Sequence, residues 1–254
     1  MRPSVPTLVA AAVLVYVVAN VSHEGLGHGL SCQLLGGRMI SLNAAFCECD
    51  DGGMTDAAIR FKAAAGSLAN LALAGIGALG LQLRKGRPRG LVDLLLWLLL
   101  SVDLMQATGY LLFSGVAGVG DWVVVAGDSV GARLALAAAG AVTYTGAIAV
   151  SLGWLARFTA DAPDRQQVAR RIAFVPWLAG GSLYAVAGLF NPLGAVIMLI
   201  SSVAAGFGGT SGLAWMTNLL RNPARWPASA DPLTVPERPV ALWVAARLVA
   251  AACT

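Results

Sequence analysis

The chain is organised around the stretch Ser22-His23-Glu24-Gly25-Leu26-Gly27-His28-Gly29, which follows an apolar run from Leu8 to Val21. This stretch contains both histidines of the protein and one of its three glutamates. Ionisable side chains are costly inside a membrane and usually serve a function there. Two imidazoles beside a carboxylate therefore predict a metal site. The alternative is a pair of polar residues at the membrane interface, with Glu24 in solvent.

The composition predicts an all-α integral membrane protein. Of the 254 residues, 57% are hydrophobic and 12% are charged, which is too little polar surface for a soluble globule of this size. The apolar runs are long and continuous, as in transmembrane helices, and do not alternate as in a β-barrel. The net charge of +4 does not indicate a nucleic-acid partner, because the basic residues lie in short loops beside apolar runs. The expected surroundings are the lipid bilayer.

The apolar runs predict about six transmembrane helices of about 20 residues each. Spans one to three lie in residues 1–125, spans four to six in residues 126–217, and a proline-rich tail in residues 218–254. The last apolar piece, Val240 to Cys253, is too short to span and is expected at the interface or against the bundle. The predicted spans are Leu8 to Leu30, Ala57 to Leu83, Leu91 to Phe113, Arg133 to Ala156, Ile172 to Phe190 and Leu193 to Trp215.

The basic residues predict the orientation of the chain. Thirteen of the 17 lysines and arginines fall on one side if the N-terminus, the Arg84–Arg89 loop, the Arg157–Arg171 loop and the tail share that side. The positive-inside rule then places both termini in the cytoplasm. The expectation is a multi-pass protein of the inner (cell) membrane, with the histidine stretch toward the outer face.

The histidine spacing predicts a distorted helix. In an α-helix, residues five positions apart lie about 140° apart around the axis, so His23 and His28 could not share one ion. A π-bulge would absorb the extra residue, and Gly25, Gly27 and Gly29 remove side chains that would oppose it. We therefore expect a widened or broken helix at Gly25 to Gly29.

The pattern resembles the site-2 protease family of intramembrane zinc metalloproteases over about the first 125 residues. His23-Glu24 with His28 corresponds to the H-E-x-x-H of the family's first core helix, and Gly66 to Asn70 to its G-P-x-x-N-like segment. Three features depart from the family. The motif here is H-E-x-x-G-H, as in dipeptidyl peptidase III; Ser67 replaces the proline; and Gly118-Val119-Gly120-Asp121-Trp122 stands near the place of the third motif.

The resemblance implies a zinc site built from the first three spans. His23, His28 and Asp121 would be the metal ligands, and Glu24 would be the general base that activates water. Asn70 would be catalytic, donating a hydrogen bond to the substrate backbone or to the oxyanion. The implied partner is a membrane-embedded peptide or protein substrate.

Several alternatives remain open at this stage. Asp103 inside span three competes with Asp121 as third ligand, as do Glu48, Asp50 and Asp51 in the loop between spans one and two. That loop is expected either as a hairpin that binds an extended peptide or as a plain connection. Its Cys47 and Cys49 are expected as thiols, with a metal or redox role as the second reading; no disulfide framework is predicted. Competing functions are a zinc hydrolase of a lipid or small molecule and a metal-binding membrane protein or transporter.

Overall fold

The structure is a computed structural model that describes residues 3–43, 46–189, 198–222, 224–235 and 240–252. It consists of a bundle of long helices with one small β-hairpin. In chain order the elements are α1 (Val5–Val21), a π-helix π1 (Ser22–Gly29), α2 (Leu30–Leu34), β1 (Arg38–Asn43), β2 (Phe46–Asp50), α3 (Asp56–Leu83), α4 (Leu91–Ala117), α5 (Asp121–Ala126), α6 (Val130–Arg157), α7 (Arg165–Leu189), a second π-helix π2 (Met198–Gly209), α8 (Gly212–Trp215), a 3-10 helix (Met216–Arg221) and α9 (Val240–Ala252).

Five helical segments are long and apolar enough to cross a membrane. They are the continuous helix Val5–Leu34, which joins α1, π1 and α2, and the four helices α3, α4, α6 and α7. The first five predicted spans are therefore confirmed as helices long and apolar enough to cross a membrane. The sixth predicted span falls partly outside the described residues, and its described part is π2 followed by α8. The all-α prediction is correct for the bundle, and the loop between spans one and two forms the hairpin that was one of its two expected forms.

The centre of the bundle is α4, which packs against α1, α3 and α6. Its Trp97 is fully buried and donates a hydrogen bond to the Ser151 carbonyl of α6 at 2.9 Å. A Cβ atom at Gly115 or Gly140 would collide with the backbone of the opposite helix. Small residues at a crossing let two membrane helices approach closely, so these glycines set the distance between α4 and α6.

The predicted cytoplasmic loops and the tail meet at one end of the bundle. Thr234 donates its N–H to the Arg89 carbonyl at 3.0 Å, and Ser229 donates to the Thr159 carbonyl at 2.9 Å. Helix α9 packs on α1, as predicted for a segment too short to span, and it buries Leu242 there. The tail thus connects the two basic loops that the positive-inside rule predicts on one side of the membrane.

The hairpin lies at the opposite end of the first span and is tied to it covalently. Strands β1 and β2 pair antiparallel, with Met39 opposite Cys49 and Leu42 opposite Cys47. Cys32 at the end of the first span forms a disulfide with Cys49. The expectation that Cys49 is a thiol was wrong, because the fold brings Cys32 beside it from 17 residues away. Cys47 is the free, buried cysteine among the described residues.

Candidate metal centre

The π-helix turns both histidines to the same point. It covers Ser22–Gly29, so the predicted distortion is confirmed and extends over the whole stretch. A helix with i→i+5 hydrogen bonds brings residues five apart onto one face. The Nε2 atoms of His23 and His28 lie 3.2 Å apart, with ring centroids separated by 4.9 Å.

Two glycines allow α3 to approach the histidines. A Cβ atom at Gly27 would lie 2.5 Å from the Gly66 Cα, and one at Gly66 would lie 2.6 Å from both histidine Nε2 atoms. Side chains at these positions would therefore separate the helices or occupy the space between the rings. The Gly66 to Asn70 segment, noticed in the sequence for its resemblance to a family motif, forms the wall behind the histidines.

A tight turn after α4 delivers Asp121. Gly118 and Gly120 have φ values of +70° and +94°, a conformation that glycine adopts without strain. The next residue is Asp121, whose Oδ2 lies 3.6 Å from His23 Nε2 and 3.2 Å from His28 Nε2. Trp122 donates to the Ser67 hydroxyl at 3.1 Å, which fastens α5 to α3. His23, His28 and Asp121 thus form a group able to bind a metal ion.

Asp103 is not part of this group. It is fully buried in α4, and neither carboxylate oxygen has a hydrogen-bond partner in the part of the chain that the structure describes. The three loop acids are used elsewhere, since Glu48 accepts from Ser41, Asp50 pairs with Arg38, and Asp51 pairs with Lys62. Of the candidates considered for third ligand, Asp121 is the one beside both histidines.

The hydrogen bonds of the two imidazoles suit the pair to bind a cation. His28 Nδ1 lies 2.9 Å from the Lys62 backbone carbonyl, which can only accept, so this nitrogen carries the proton. His23 Nδ1 lies 3.1 Å from the Asn70 Oδ1 and donates to it in the same way. If both imidazoles are neutral, each Nε2 atom then carries a lone pair and no proton. In that state two lone pairs and a carboxylate converge on one point, an arrangement that a metal ion could occupy.

The distances match a tetrahedral ion. Ligands at about 2.0–2.1 Å from a tetrahedral centre lie about 3.3 Å from one another. The three separations in the structure are 3.2, 3.6 and 3.2 Å. Metal-bound histidines usually donate their other ring N–H to an acceptor such as a backbone carbonyl, as His28 does here, and the Asn70 oxygen is the corresponding acceptor for His23. The residues present therefore fit the ion that the motif predicts.

Glu24 lies in the same cavity but outside the ligand group. Its Oε2 accepts a hydrogen bond from the Cys47 N–H of β2 at 2.9 Å. The side chain is buried and lines the cavity together with His23 and His28. A buried carboxylate beside a metal site, held by a backbone donor, is suited to proton transfer.

The Cys47 thiol faces the same surroundings. Burial, followed by the neighbouring charge of Glu24, raises the pKa of this thiol to about 11. A protonated thiol is a poor metal ligand, because the thiolate is the binding form. The second reading of the cysteine pair, as metal ligands, is therefore not supported by this geometry.

Asn70 is buried behind His23. Its Oδ1 faces His23, its Nδ2 donates to the Gln106 Oε1 at 2.8 Å, and the residue is fully inaccessible to solvent. Asn70 is absent from the residues that line the cavity in the described chain. Its contacts are those of a residue that orients a ligand, and its predicted hydrogen bond to substrate or oxyanion stays a prediction.

The site opens into a cavity of about 770 Å³. Its lining is mostly apolar and comes from the first span, the hairpin, α3, α4, α5, α6, α7 and π2. The second half of the chain, which carried no recognisable motif, thus supplies part of the wall. Its contributions include Tyr144, Tyr184 and Ser211. No periodicity distinguishes these residues from ordinary helix-packing positions.

Comparison of the chain with protein-family models, with curated proteins and with solved structures found no match. The resemblance to the site-2 protease family therefore depends on the motif residues alone.

Proposed function

We propose that the protein is an intramembrane zinc metalloprotease that hydrolyses a peptide bond of a membrane-embedded or membrane-adjacent substrate. The observation that carries this proposal is the convergence of His23, His28 and Asp121 in a cavity of the membrane bundle, with Glu24 beside them. Zinc is the proposed ion because two imidazoles and a carboxylate form a ligand set of catalytic zinc sites with an open fourth position.

The roles of the residues follow from this arrangement. Zinc, when bound, polarises a carbonyl and lowers the pKa of a water to about 7. Glu24 accepts the proton of the attacking water and passes it to the amine leaving group. The Cys47 N–H holds one oxygen of Glu24, which keeps the carboxylate from turning toward the ligand group.

The hairpin supports a peptide as substrate. The sheet has two strands in the described chain, so β2 has one unpaired edge, and the Cys47 N–H on that edge points to Glu24. The Cys47 N–H is taken by Glu24, so an extended segment would pair with the other backbone groups of this edge and lie next to the base. Lipids offer no backbone for such pairing.

The apolar lining of the cavity supports a second candidate, a zinc hydrolase of a lipid or small molecule. The same Glu24 and ligand group would serve that reaction. The two candidates differ in whether the β2 edge contributes to binding.

We also propose that both termini lie in the cytoplasm and that the metal centre lies toward the outer face. The tail and the basic loops meet at one end of the bundle, as the positive-inside rule requires of cytoplasmic segments. The Cys32–Cys49 disulfide is at the other end, and disulfides persist in oxidising compartments such as the bacterial periplasm.

The test compares the wild type with Glu24→Gln and the matched control Glu48→Gln, an acid of the same hairpin region whose partner is Ser41. Each purified protein is analysed for bound metal and incubated with a panel of single-span peptides. We expect one zinc per chain in all three. Glu24→Gln should lose about 10²- to 10⁴-fold in cleavage rate, the contribution of a general base, while Glu48→Gln retains the rate.

Two results would redirect the proposal. Stoichiometric zinc in all three proteins with no peptide cleavage would favour the lipid or small-molecule hydrolase. A wild type purified without stoichiometric metal, and unable to take it up, would refute the enzyme altogether.

A further inference from the structure

A chain of hydrogen bonds runs from the metal centre into the second half of the protein. His23 Nδ1 lies 3.1 Å from the Asn70 Oδ1, Asn70 Nδ2 donates to the Gln106 Oε1 at 2.8 Å, and Gln106 Nε2 donates to the Tyr184 hydroxyl at 3.2 Å. Tyr184 in turn donates to the backbone carbonyl of Tyr16 at 2.8 Å. The chain therefore crosses α3, α4 and α7 and returns to the first span.

Its last acceptor fixes the direction of every bond. The Tyr16 carbonyl can only accept, so the Tyr184 hydroxyl donates its one proton to that carbonyl and must accept a hydrogen bond from Gln106. Gln106 then presents its oxygen to Asn70, and Asn70 presents its oxygen to His23. A neutral His23 must in consequence carry its proton on Nδ1 and turn the Nε2 lone pair toward His28 and Asp121.

We propose that Gln106 and Tyr184 are positioning residues that select the His23 tautomer able to bind metal. This inference rests on the proposed metal centre, and it adds α7 to that centre. Asn70 alone cannot make the selection, because its amide could turn and present a donor to the ring. Gln106 and Tyr184 prevent that turn. His28 needs no such chain, because the Lys62 backbone carbonyl holds its Nδ1 directly.

Burial makes the selection effective. Asn70 is fully inaccessible, and Gln106 and Tyr184 are also buried. An unsatisfied buried polar group is costly. If the Asn70 or Gln106 amide were reversed, a donor would face a donor or an acceptor would face an acceptor, so the reversed orientation is disfavoured at both residues.

Tyr144 offers a matched control. It is a second tyrosine of the same cavity, and its hydroxyl accepts the Gly212 N–H at 2.8 Å and lies 3.1 Å from the Ser211 hydroxyl. Tyr144→Phe and Tyr184→Phe thus each remove one hydroxyl with two hydrogen bonds. Only Tyr184 is linked to His23.

The experiment measures zinc affinity of the purified full-length protein by competition with a chromophoric chelator. Outer-shell substitutions typically weaken metal binding about 10- to 100-fold. We expect about 10-fold weaker binding for Tyr184→Phe, about 100-fold for Gln106→Leu, and wild-type affinity for Tyr144→Phe. Equal losses in the two tyrosine variants would mean a general packing effect and would overturn the proposal.

A second measurement uses the metal-free protein and needs no activity. The chain has two histidines, so nitrogen NMR of histidine-labelled protein resolves both rings. We expect His23 to change from the Nδ1-protonated form to a tautomer mixture in Tyr184→Phe and Gln106→Leu, while His28 stays unchanged as internal control. An unchanged His23 would refute the proposal. Failure of the proposed protease is a separate result, since it appears as absent peptide cleavage with zinc still bound.

Discussion

Gly66→Ala is the most direct test of the metal centre, because it adds a single methyl group at the point where the ligands meet. The new Cβ would lie 2.6 Å from the Nε2 atoms of both His23 and His28. This is about 0.8 Å short of the 3.4 Å at which ordinary contact begins. The histidine rings would have to move, because both contacts are to the far ends of flexible side chains.

The displacement is too large for metal binding to survive. Metal–ligand distances in protein sites hold within about 0.2 Å, and both rings would have to move several times further. Outer-shell substitutions alone cost about 10- to 100-fold in affinity, so moving two ligands should cost more than about 100-fold. The fold itself should persist, because alanine is more favourable than glycine inside a helix by about 1 kcal/mol.

The assay compares zinc content after dialysis and affinity by chelator competition for Gly66→Ala and Gly75→Ala. Gly75 is in the same helix, and a Cβ there meets nothing within 4 Å. We expect the Gly75 variant to bind zinc like the wild type and to melt at the same or a slightly higher temperature. Wild-type affinity in Gly66→Ala would refute the assignment of His23 and His28 to one ion.

Three further predictions concern the hairpin and the cavity. Replacing Cys32 and Cys49 by serine opens a 17-residue loop and should destabilise the hairpin by about 3 kcal/mol. The melting temperature should fall in this variant and not in the control Cys47→Ser. Equal melting temperatures would contradict a structural role for the disulfide. The raised pKa of Cys47, about 11, favours the neutral thiol in the folded state, so Cys47 should resist alkylation below pH 9. The stability that this neutral thiol contributes below pH 9 should be lost as the pH rises from 9 to 11. Rapid alkylation of the folded protein at pH 8 would contradict the raised pKa. Gly208 lines the cavity, and a Cβ there meets nothing within 4 Å. Gly208→Phe should therefore reduce peptide cleavage while zinc remains bound, whereas Gly146→Phe, at an exposed position of α6, should retain both. Cleavage by both variants would mean that substrate does not use this part of the cavity.

The bundle and the histidine pair were predictable because both depend on local patterns. A membrane-spanning helix must satisfy its own backbone, so length and hydropathy alone locate the spans. The five-residue spacing of His23 and His28 requires a wider helix, and the glycines between them permit it. Each of these properties is contained within one continuous segment.

The closure of the site depends on packing between segments. Asp103 lies in α4 and Asp121 begins α5, and by residue type either carboxylate could bind a metal ion. The turn at Gly118 and Gly120 and the bond from Trp122 to Ser67 bring Asp121 to the histidines, while the packing of α4 buries Asp103 elsewhere. The partner of His28 is a backbone carbonyl, which no side chain in the sequence reveals.

The disulfide and the Gln106–Tyr184 pair illustrate the same division. Cys32 meets Cys49 only when the hairpin folds back over the first span, and Tyr184 reaches Gln106 from 78 residues away. Local spacing could identify the two histidines of the candidate metal-binding group and the neighbouring Glu24, because a helix repeats within a few residues. The contacts of Asp121 with the histidines, of Asn70 with His23, and of the Cys47 N–H with Glu24 join distant segments, so they form only when the whole bundle has packed.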